Sequence, residues 1–157
     1  MPIQNADIAS VLDQIGDLLE LDDANPFRVR AYRNAAIEVN RRSADIAALV
    51  ASGEGVPKIQ GVGTDLSAKI LEIAQTGRCQ YLEELRARYP EGITHLLELP
   101  GLGPKRVRLL FDQLKVTSIA DLEQAIRDGR LRAVAGFGPK SEEKILAAIA
   151  ARGGSST

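Results

Sequence analysis

Apolar residues recur at helical spacing along nearly the whole chain, and no segment reads convincingly as a strand. This pattern predicts an amphipathic helix over about residues 5–21 and a second over about 26–41. Asn25 is suited to cap the second helix and Pro26 to occupy its first turn. Because the remaining apolar segments are also short and helical in period, we expect an all-α protein.

Turn residues divide this helical sequence into two small subdomains. Ser43 is placed to cap a short third helix, and residues 91–92 are the best candidate for a hinge. We therefore predict one helical domain over residues 1–89, a second over 90–152, and a flexible tail at 153–157.

The pattern apolar-x-Gly-apolar-Gly occurs three times, at residues 59–63, 99–103 and 134–138, each time just before a predicted helix. Glycines permit a tight turn and a close approach of another backbone. The helix start behind them has unpaired N–H groups and a partial positive charge, which suit an anion such as a DNA phosphate. The predicted phosphate contacts are Gly61, Gly63, Gly101, Gly103, Gly136 and Gly138, with the basic side chains Lys105, Arg106, Arg108 and Lys140. The alternative is that these loops only turn pairs of packed helices.

Composition excludes several other classes of protein. The chain has 157 residues, of which 45% are hydrophobic and only 4% aromatic, so its core must be aliphatic. Cys79 is the single cysteine, which excludes an internal disulfide, and His95 is the single histidine, which argues against a histidine metal site. We assign neither residue any chemistry. No apolar run approaches the length of a membrane span, so we expect no membrane partner and a cytoplasmic location.

Charge is distributed unevenly although the net charge is only −1. The first 25 residues carry six acidic side chains and no Lys or Arg, whereas residues 26–42 carry five arginines against one glutamate. Clustered charge is a better indicator of nucleic-acid binding than net charge. Two other interpretations stay open: a solvated arginine face, and a scaffold whose acidic first helix docks a protein partner.

A family resemblance rests on the run NPFRVRAYRNAA at residues 25–36, followed by the three glycine loops. The loops resemble helix-hairpin-helix motifs, and the ordered set resembles the amino-terminal part of bacterial family X DNA polymerases, from about residue 3 to 150. The resemblance implies a lyase-type domain over 1–89 and a helix-hairpin-helix subdomain behind it. Together they would bind gapped or nicked DNA during base excision repair, in the bacterial nucleoid.

The palm domain of that family, with its metal-binding aspartates, follows this region. We therefore expect no polymerase activity from this chain, which is either an excised amino-terminal region or a free-standing relative. A palm domain in a longer chain is a possible partner. In related hairpins the loop carbonyls can hold a monovalent cation, so K⁺ or Na⁺ is a possible ligand.

The resemblance also implies a pocket for the 5′-phosphate of a gap. Its predicted residues are Arg28, Arg30, Tyr32, Arg33 and Lys58. Arg28 and Tyr32 are four residues apart and so share one face of the helix. Alternatively, Tyr32 belongs to the core and the arginines are solvated.

Lys69 stands where lyase-active members of the family keep the amine that forms a Schiff base with an abasic sugar. Such an amine must be unprotonated near neutral pH. Asp65 lies four residues earlier on the same helical face, where lyase-active relatives tend to have a basic residue, and it favours the ammonium form. Two hypotheses therefore stay open for Lys69, a lyase nucleophile or an ordinary charged side chain.

Overall fold

The computed structural model describes residues 3–152, and within that range all regular secondary structure is helical. The helices are α1 (Asn5–Leu21), α2 (Pro26–Arg41), α3 (Ile46–Ala51), α4 (Thr64–Thr76), α5 (Gln80–Arg86), α6 (Gly92–Leu97), α7 (Pro104–Leu114), α8 (Ile119–Arg127) and α9 (Pro139–Ala151), with a 3₁₀ turn at Leu131–Ala133. The all-α prediction is confirmed. The predicted tail at 153–157 lies outside the described residues. None of the described helices is long and apolar enough to cross a bilayer.

The chain divides between Leu85 and Arg86 into two compact units, which we call unit 1 and unit 2. The division falls before the predicted hinge. Gly92 is the first residue of α6, and a Cβ atom there would lie 2.1 Å from the carbonyl oxygen of Thr117. Gly92 therefore allows two backbone segments of unit 2 to pack closely.

Unit 1 is built on the packing of α1 against α2, to which α3 and α4 are added. The helical apolar stripe of α1 is fully buried, as its 3.6-residue period predicts. The main core residues are Ile8, Leu12, Ile15 and Leu18 from α1, Ala35 and Val39 from α2, Ile46 from α3, and Ile70 and Ile73 from α4.

The helix starts of unit 1 test two sequence predictions. The side chain of Asn25 accepts a hydrogen bond from the Phe27 N–H at 2.8 Å, so the predicted cap of α2 is confirmed. The predicted cap of α3 at Ser43 is wrong. Asp45, the residue directly before the helix, accepts from the Ala48 N–H at 3.1 Å instead. Ser43 is two positions too early for its hydroxyl to serve as N-cap.

Unit 2 has its own aliphatic core, contributed by all four of its α-helices. The buried residues include Ile93 and Leu96 from α6, Val107 and Leu110 from α7, Leu122 and Ala125 from α8, and Ile145 and Ile149 from α9. Glu142 of α9 is buried as well, and its carboxylate accepts two hydrogen bonds from Arg132 Nε at 3.1 and 3.2 Å. This pair ties the 3₁₀ turn before the third glycine loop to the helix behind it.

Candidate nucleic-acid interface

The second glycine of each loop is the N-cap of the helix that follows: Gly63 for α4, Gly103 for α7 and Gly138 for α9. None of these three helix starts has a side-chain cap. The first-turn N–H groups therefore remain available to an acceptor from outside the helix, and the helix dipole adds a partial positive charge. Each of the three helix starts thus presents the same uncapped N–H groups, which is the backbone arrangement that an anion site requires.

The first glycine of each loop has a positive φ, +81° at Gly61, +88° at Gly101 and +90° at Gly136. Side chains rarely adopt this conformation, so glycine is required there by the turn itself. The same backbone hydrogen bond closes each loop, with N···O distances of 3.1–3.2 Å, from Val62 to Ile59, Leu102 to Leu99 and Phe137 to Val134. The three repeats in the sequence are therefore three copies of one loop.

The second glycines have no such requirement. Their φ values are −87° at Gly63, −83° at Gly103 and −139° at Gly138, which any residue adopts. A Cβ atom added at any of them would meet nothing within 4 Å in the described chain. Neither backbone conformation nor internal packing explains why glycine occurs at this position in all three loops.

Arg106 lies between the second and third loops. Its Nη1 donates to the Gly101 carbonyl at 3.3 Å and its Nη2 to the Gly136 carbonyl at 3.1 Å. The guanidinium carbon is also 5.0 Å from the centre of the Phe137 ring. The sequence predicts Arg106 as a phosphate contact, whereas the structure uses it to connect two loops.

The other basic residues predicted near these loops differ in their surroundings. Lys105 and Lys140 are exposed in the first turns of their helices. Arg108 Nε donates to both carboxylate oxygens of Asp112 at 3.1 and 3.2 Å, and Arg108 Nη1 is 3.4 Å from the Tyr89 hydroxyl. The positive charge of Arg108 is therefore already paired with Asp112, and this hydrogen bond raises the pKa of Arg108.

In unit 1, five side chains form what we call the tyrosine cluster: Arg28, Tyr32, Asp65, Lys69 and Tyr81. Arg28 Nη2 donates to the Tyr81 hydroxyl at 2.6 Å, and its guanidinium carbon is 5.3 Å from the centre of that ring. Lys69 Nζ is 5.0 Å from the same ring centre, and the Tyr32 ring stacks on Tyr81 at 6.2 Å. Sequence reasoning missed Tyr81 as a site residue, because nothing local links α5 to α2 and α4.

Tyr32 belongs both to the core and to this cluster. It is only 2% exposed, and its hydroxyl has no hydrogen-bond partner in the described chain. Burial raises the pKa of Tyr32, and the positive charge of Lys69 partly offsets that increase. The cluster therefore contains a buried hydroxyl that interacts electrostatically with Lys69.

Lys69 is half-buried and paired. Its side chain is 16% exposed, and its Nζ is 3.0 Å from a carboxylate oxygen of Asp65, which is 81% exposed. Burial lowers the pKa of Lys69, but the hydrogen bond to Asp65 and the adjacent Tyr32 outweigh this, and the net pKa is raised. The amine is consequently an ammonium ion at neutral pH.

Arg33 does not join the tyrosine cluster, although the sequence predicts it in the same pocket. Its guanidinium contacts carboxylate oxygens of Asp13 at 3.5 Å, Asp17 at 2.7 Å and Glu20 at 3.3 Å. It passes over Gly16, where a Cβ atom would lie 3.2 Å from it. Three carboxylates of α1 therefore surround a single arginine of α2.

The last two predicted pocket residues lie elsewhere in unit 1. The Arg30 guanidinium carbon is 5.7 Å from the ring centre of Phe27, which is 75% exposed. Lys58 lines a groove of about 590 Å³ beside the first glycine loop, together with Gly63 and Ser67. Of the five residues predicted for the 5′-phosphate pocket, only Arg28 and Tyr32 belong to the tyrosine cluster.

Metal and thiol chemistry find little support in the described residues. Within residues 3–152 no group of three or more His, Cys, Asp or Glu side chains is arranged to hold a metal ion. Cys79 is buried, and burial raises the pKa of its thiol. A monovalent cation on the loop carbonyls stays a prediction, and the carbonyls of Gly101 and Gly136 already accept hydrogen bonds from a guanidinium.

Comparison with known proteins gives the same division of the chain. A helix-hairpin-helix domain family matches residues 3–79, and a SAM-like helix-hairpin-helix tandem family matches residues 93–151. The chain is 35% identical over 147 residues, 94% of its length, to the DNA polymerase/3′-5′ exonuclease PolX of Bacillus subtilis (strain 168). It spans only 25% of that protein. The chain therefore contains helix-hairpin-helix domains, and its sequence is similar to the amino-terminal region of a family X DNA polymerase.

Proposed function

We propose that this chain is a DNA-binding module that contacts backbone phosphates without reading sequence and prefers gapped or nicked DNA. In a longer family X polymerase it would precede the palm domain and hold the substrate for repair synthesis in the bacterial nucleoid. The relationship to PolX supports this context, and the glycine loops supply the physical basis.

The observation that carries the proposal is the second glycine of each loop. Gly63, Gly103 and Gly138 are required neither by φ nor by packing within the chain. A partner that must approach the N-cap backbone closely explains them, because a side chain there would stand in its way. The first-turn N–H groups select an anionic partner, and a regular series of phosphates suits three equivalent sites.

The test replaces each second glycine by alanine. Gly63→Ala, Gly103→Ala and Gly138→Ala should each cost no more than about 1 kcal/mol of stability, since the added methyl group meets open space and only the poorer N-cap preference of alanine opposes it. Each should weaken duplex binding about tenfold, as expected when a hydrogen bond to a charged group is lost. Fluorescence anisotropy measures the affinity, and Gln75→Ala, an exposed position on α4, is the control. If the affinity for DNA changes neither in these variants nor with salt concentration, phosphate binding is contradicted.

Preference for a 5′-phosphate is the finer part of the proposal and rests on the tyrosine cluster. Arg28 and Lys69 place two positive charges 5.3 and 5.0 Å from the centre of the Tyr81 ring, and the buried Tyr32 hydroxyl belongs to the same cluster. A terminal phosphate would give Arg28 a charged acceptor in place of the neutral Tyr81 hydroxyl and would compete with Asp65 for Lys69. Binding to a gapped duplex with and without the 5′-phosphate measures the preference. Arg28→Gln should reduce it, while Arg41→Gln, on the exposed end of α2, should not.

The second candidate function is a deoxyribose-phosphate lyase, because the Lys69 side chain is half-buried beside the Tyr32 hydroxyl. Its Nζ would attack C1′ of the abasic sugar and form a Schiff base with loss of water. Removal of a C2′ proton would then break the C3′–O bond and release the 3′ phosphate. Asp65 opposes this chemistry by keeping the amine protonated. Borohydride trapping on abasic DNA, with Lys69→Ala as control, should give little adduct near pH 7, and a strong Lys69-dependent adduct would establish the lyase.

A further inference from the structure

Arg106 differs from the other paired basic side chains around the glycine loops. Its two hydrogen bonds go to neutral backbone carbonyls, those of Gly101 and Gly136, at 3.3 and 3.1 Å. Arg108 and Lys69, by contrast, pair with carboxylates. The positive charge of Arg106 is therefore not cancelled, although its side chain is held by both loops.

The two acceptors are equivalent residues. Gly101 and Gly136 are the first glycines of the second and third loops, with φ of +88° and +90°. Each is followed two residues later by the glycine that caps α7 or α9. The planar guanidinium bonds both carbonyls and stacks on Phe137 at 5.0 Å. It therefore fixes the conformation of each loop and also the separation of the two anion sites.

We propose that Arg106 is a positioning residue that joins the second and third loops into one binding surface for two phosphates of the same DNA. This inference rests on the proposed function. A lysine cannot replace Arg106, because a single ammonium lacks the fork of donors that spans both carbonyls. A residue that only contacted phosphate would tolerate lysine.

The test is a double-mutant cycle on the full chain, with affinity for a short duplex as readout. Arg106→Gln and Gly138→Ala should each weaken binding about tenfold. The double variant should be little weaker than either single variant, because the third loop is already misplaced when Arg106 is lost. Lys105→Gln, the exposed neighbour in the same helical turn, is the matched control and should combine additively with Gly138→Ala. The inference would be overturned if the affinity losses of Arg106→Gln and Gly138→Ala were additive in the double variant. It would also be overturned if Arg106→Lys bound DNA as tightly as the parent chain.

A second measurement tests the positioning role without DNA. In Arg106→Gln and Arg106→Lys, the backbone amide resonances of residues 134–138 should shift and exchange faster with solvent, whereas Lys105→Gln should leave them unchanged. Unaltered amides in both Arg106 variants would reject the link between the loops. If the loops respond but no variant, nor the parent chain, binds DNA, the proposed function fails and the positioning role stands.

Discussion

Units 1 and 2 use the same loop but surround it with charge in different ways. In unit 1, Lys69 pairs with Asp65, and Arg33 pairs with carboxylates of α1. In unit 2, Arg108 also pairs with a carboxylate, but Arg106 bonds to neutral carbonyls and Lys105 is exposed. We propose that the loop backbone binds an anion in both units and that the partners of nearby cations decide how much positive charge reaches an approaching phosphate. We therefore expect unit 2 to provide most of the duplex affinity and unit 1 to recognise the end of a strand.

The largest expected effect separates Gly92, which close packing in unit 2 requires, from Gly103, which we propose contacts DNA. Gly92→Ala places a Cβ atom 2.1 Å from the Thr117 carbonyl oxygen, and because that oxygen is part of the backbone, a backbone segment must move to make room. We expect a loss of about 3 kcal/mol in the free energy of unfolding, near the upper end for overpacking. Gly103→Ala should cost no more than about 1 kcal/mol of stability, from the weaker N-cap, and should lose DNA affinity instead. Urea denaturation measures the first effect and anisotropy the second.

Hydrogen exchange on the same variant tests the division into units. Protection in Gly92→Ala should fall within residues 86–152 and stay largely intact within residues 3–85, because each unit has its own core. An equal loss of protection in both ranges would mean that the units unfold together. The comparison between them would then apply to binding alone.

The ion pair between Glu142 and Arg132 gives unit 2 a stability element of a different kind from the exposed pair between Arg41 and Glu38 in unit 1. The Glu142 carboxylate is buried, while Arg132, which donates to it, is 63% exposed. Arg132→Ala leaves the buried carboxylate without this donor, and because the arginine is largely solvated we expect a loss of only about 1.5 kcal/mol. Arg41→Ala, which removes an exposed pair with Glu38 in α2, is the control and should be nearly neutral. Equal losses of stability in Arg132→Ala and Arg41→Ala would contradict the role of the buried Glu142 carboxylate.

Asp65→Asn should change the chemistry of unit 1. Because the raised pKa of Lys69 depends on Asp65, the variant lowers that pKa and increases the fraction of free amine near neutral pH. Borohydride-trapped adduct on abasic DNA should increase several-fold between about pH 7 and 9 and should vanish when Lys69→Ala is added. An unchanged adduct yield would mean that Asp65 does not limit the reactivity of Lys69.

The same pair predicts a pH dependence of stability. A lysine whose pKa is raised on folding stabilises the folded state fully below its unfolded pKa of about 10.4, and that contribution is lost as pH rises through the folded value. The difference in melting temperature between the parent chain and Asp65→Asn should therefore be constant at neutral pH and should shrink above about pH 10.5. The effect is small, because Asp65 is largely exposed.

Local features of this fold could be predicted from sequence, and long-range ones could not. The apolar period of α1, the cap at Asn25 and the glycine loops all depend on residues within a few positions of one another. The partners of Arg33 and Arg106 depend on which elements pack together, because both guanidiniums reach residues 13 or more positions away. From charge and spacing alone, both arginines are predicted as phosphate contacts. In the folded chain, the packing of the elements brings each guanidinium to hydrogen-bond partners within the chain.

The smallest expected effect compares one tyrosine hydroxyl from each unit. Tyr81→Phe keeps the ring that Lys69 faces but removes the hydroxyl that accepts from Arg28 at 2.6 Å. Arg28 then loses its fixed orientation, and the preference for a 5′-phosphorylated gap should fall about threefold, the value of one ordinary hydrogen bond. Tyr89→Phe removes a hydroxyl that contacts Arg108 in unit 2 and should leave that preference unchanged. If both variants reduced the preference equally, strand-end recognition would not belong to unit 1, and the tyrosine cluster would be a packing feature of the core.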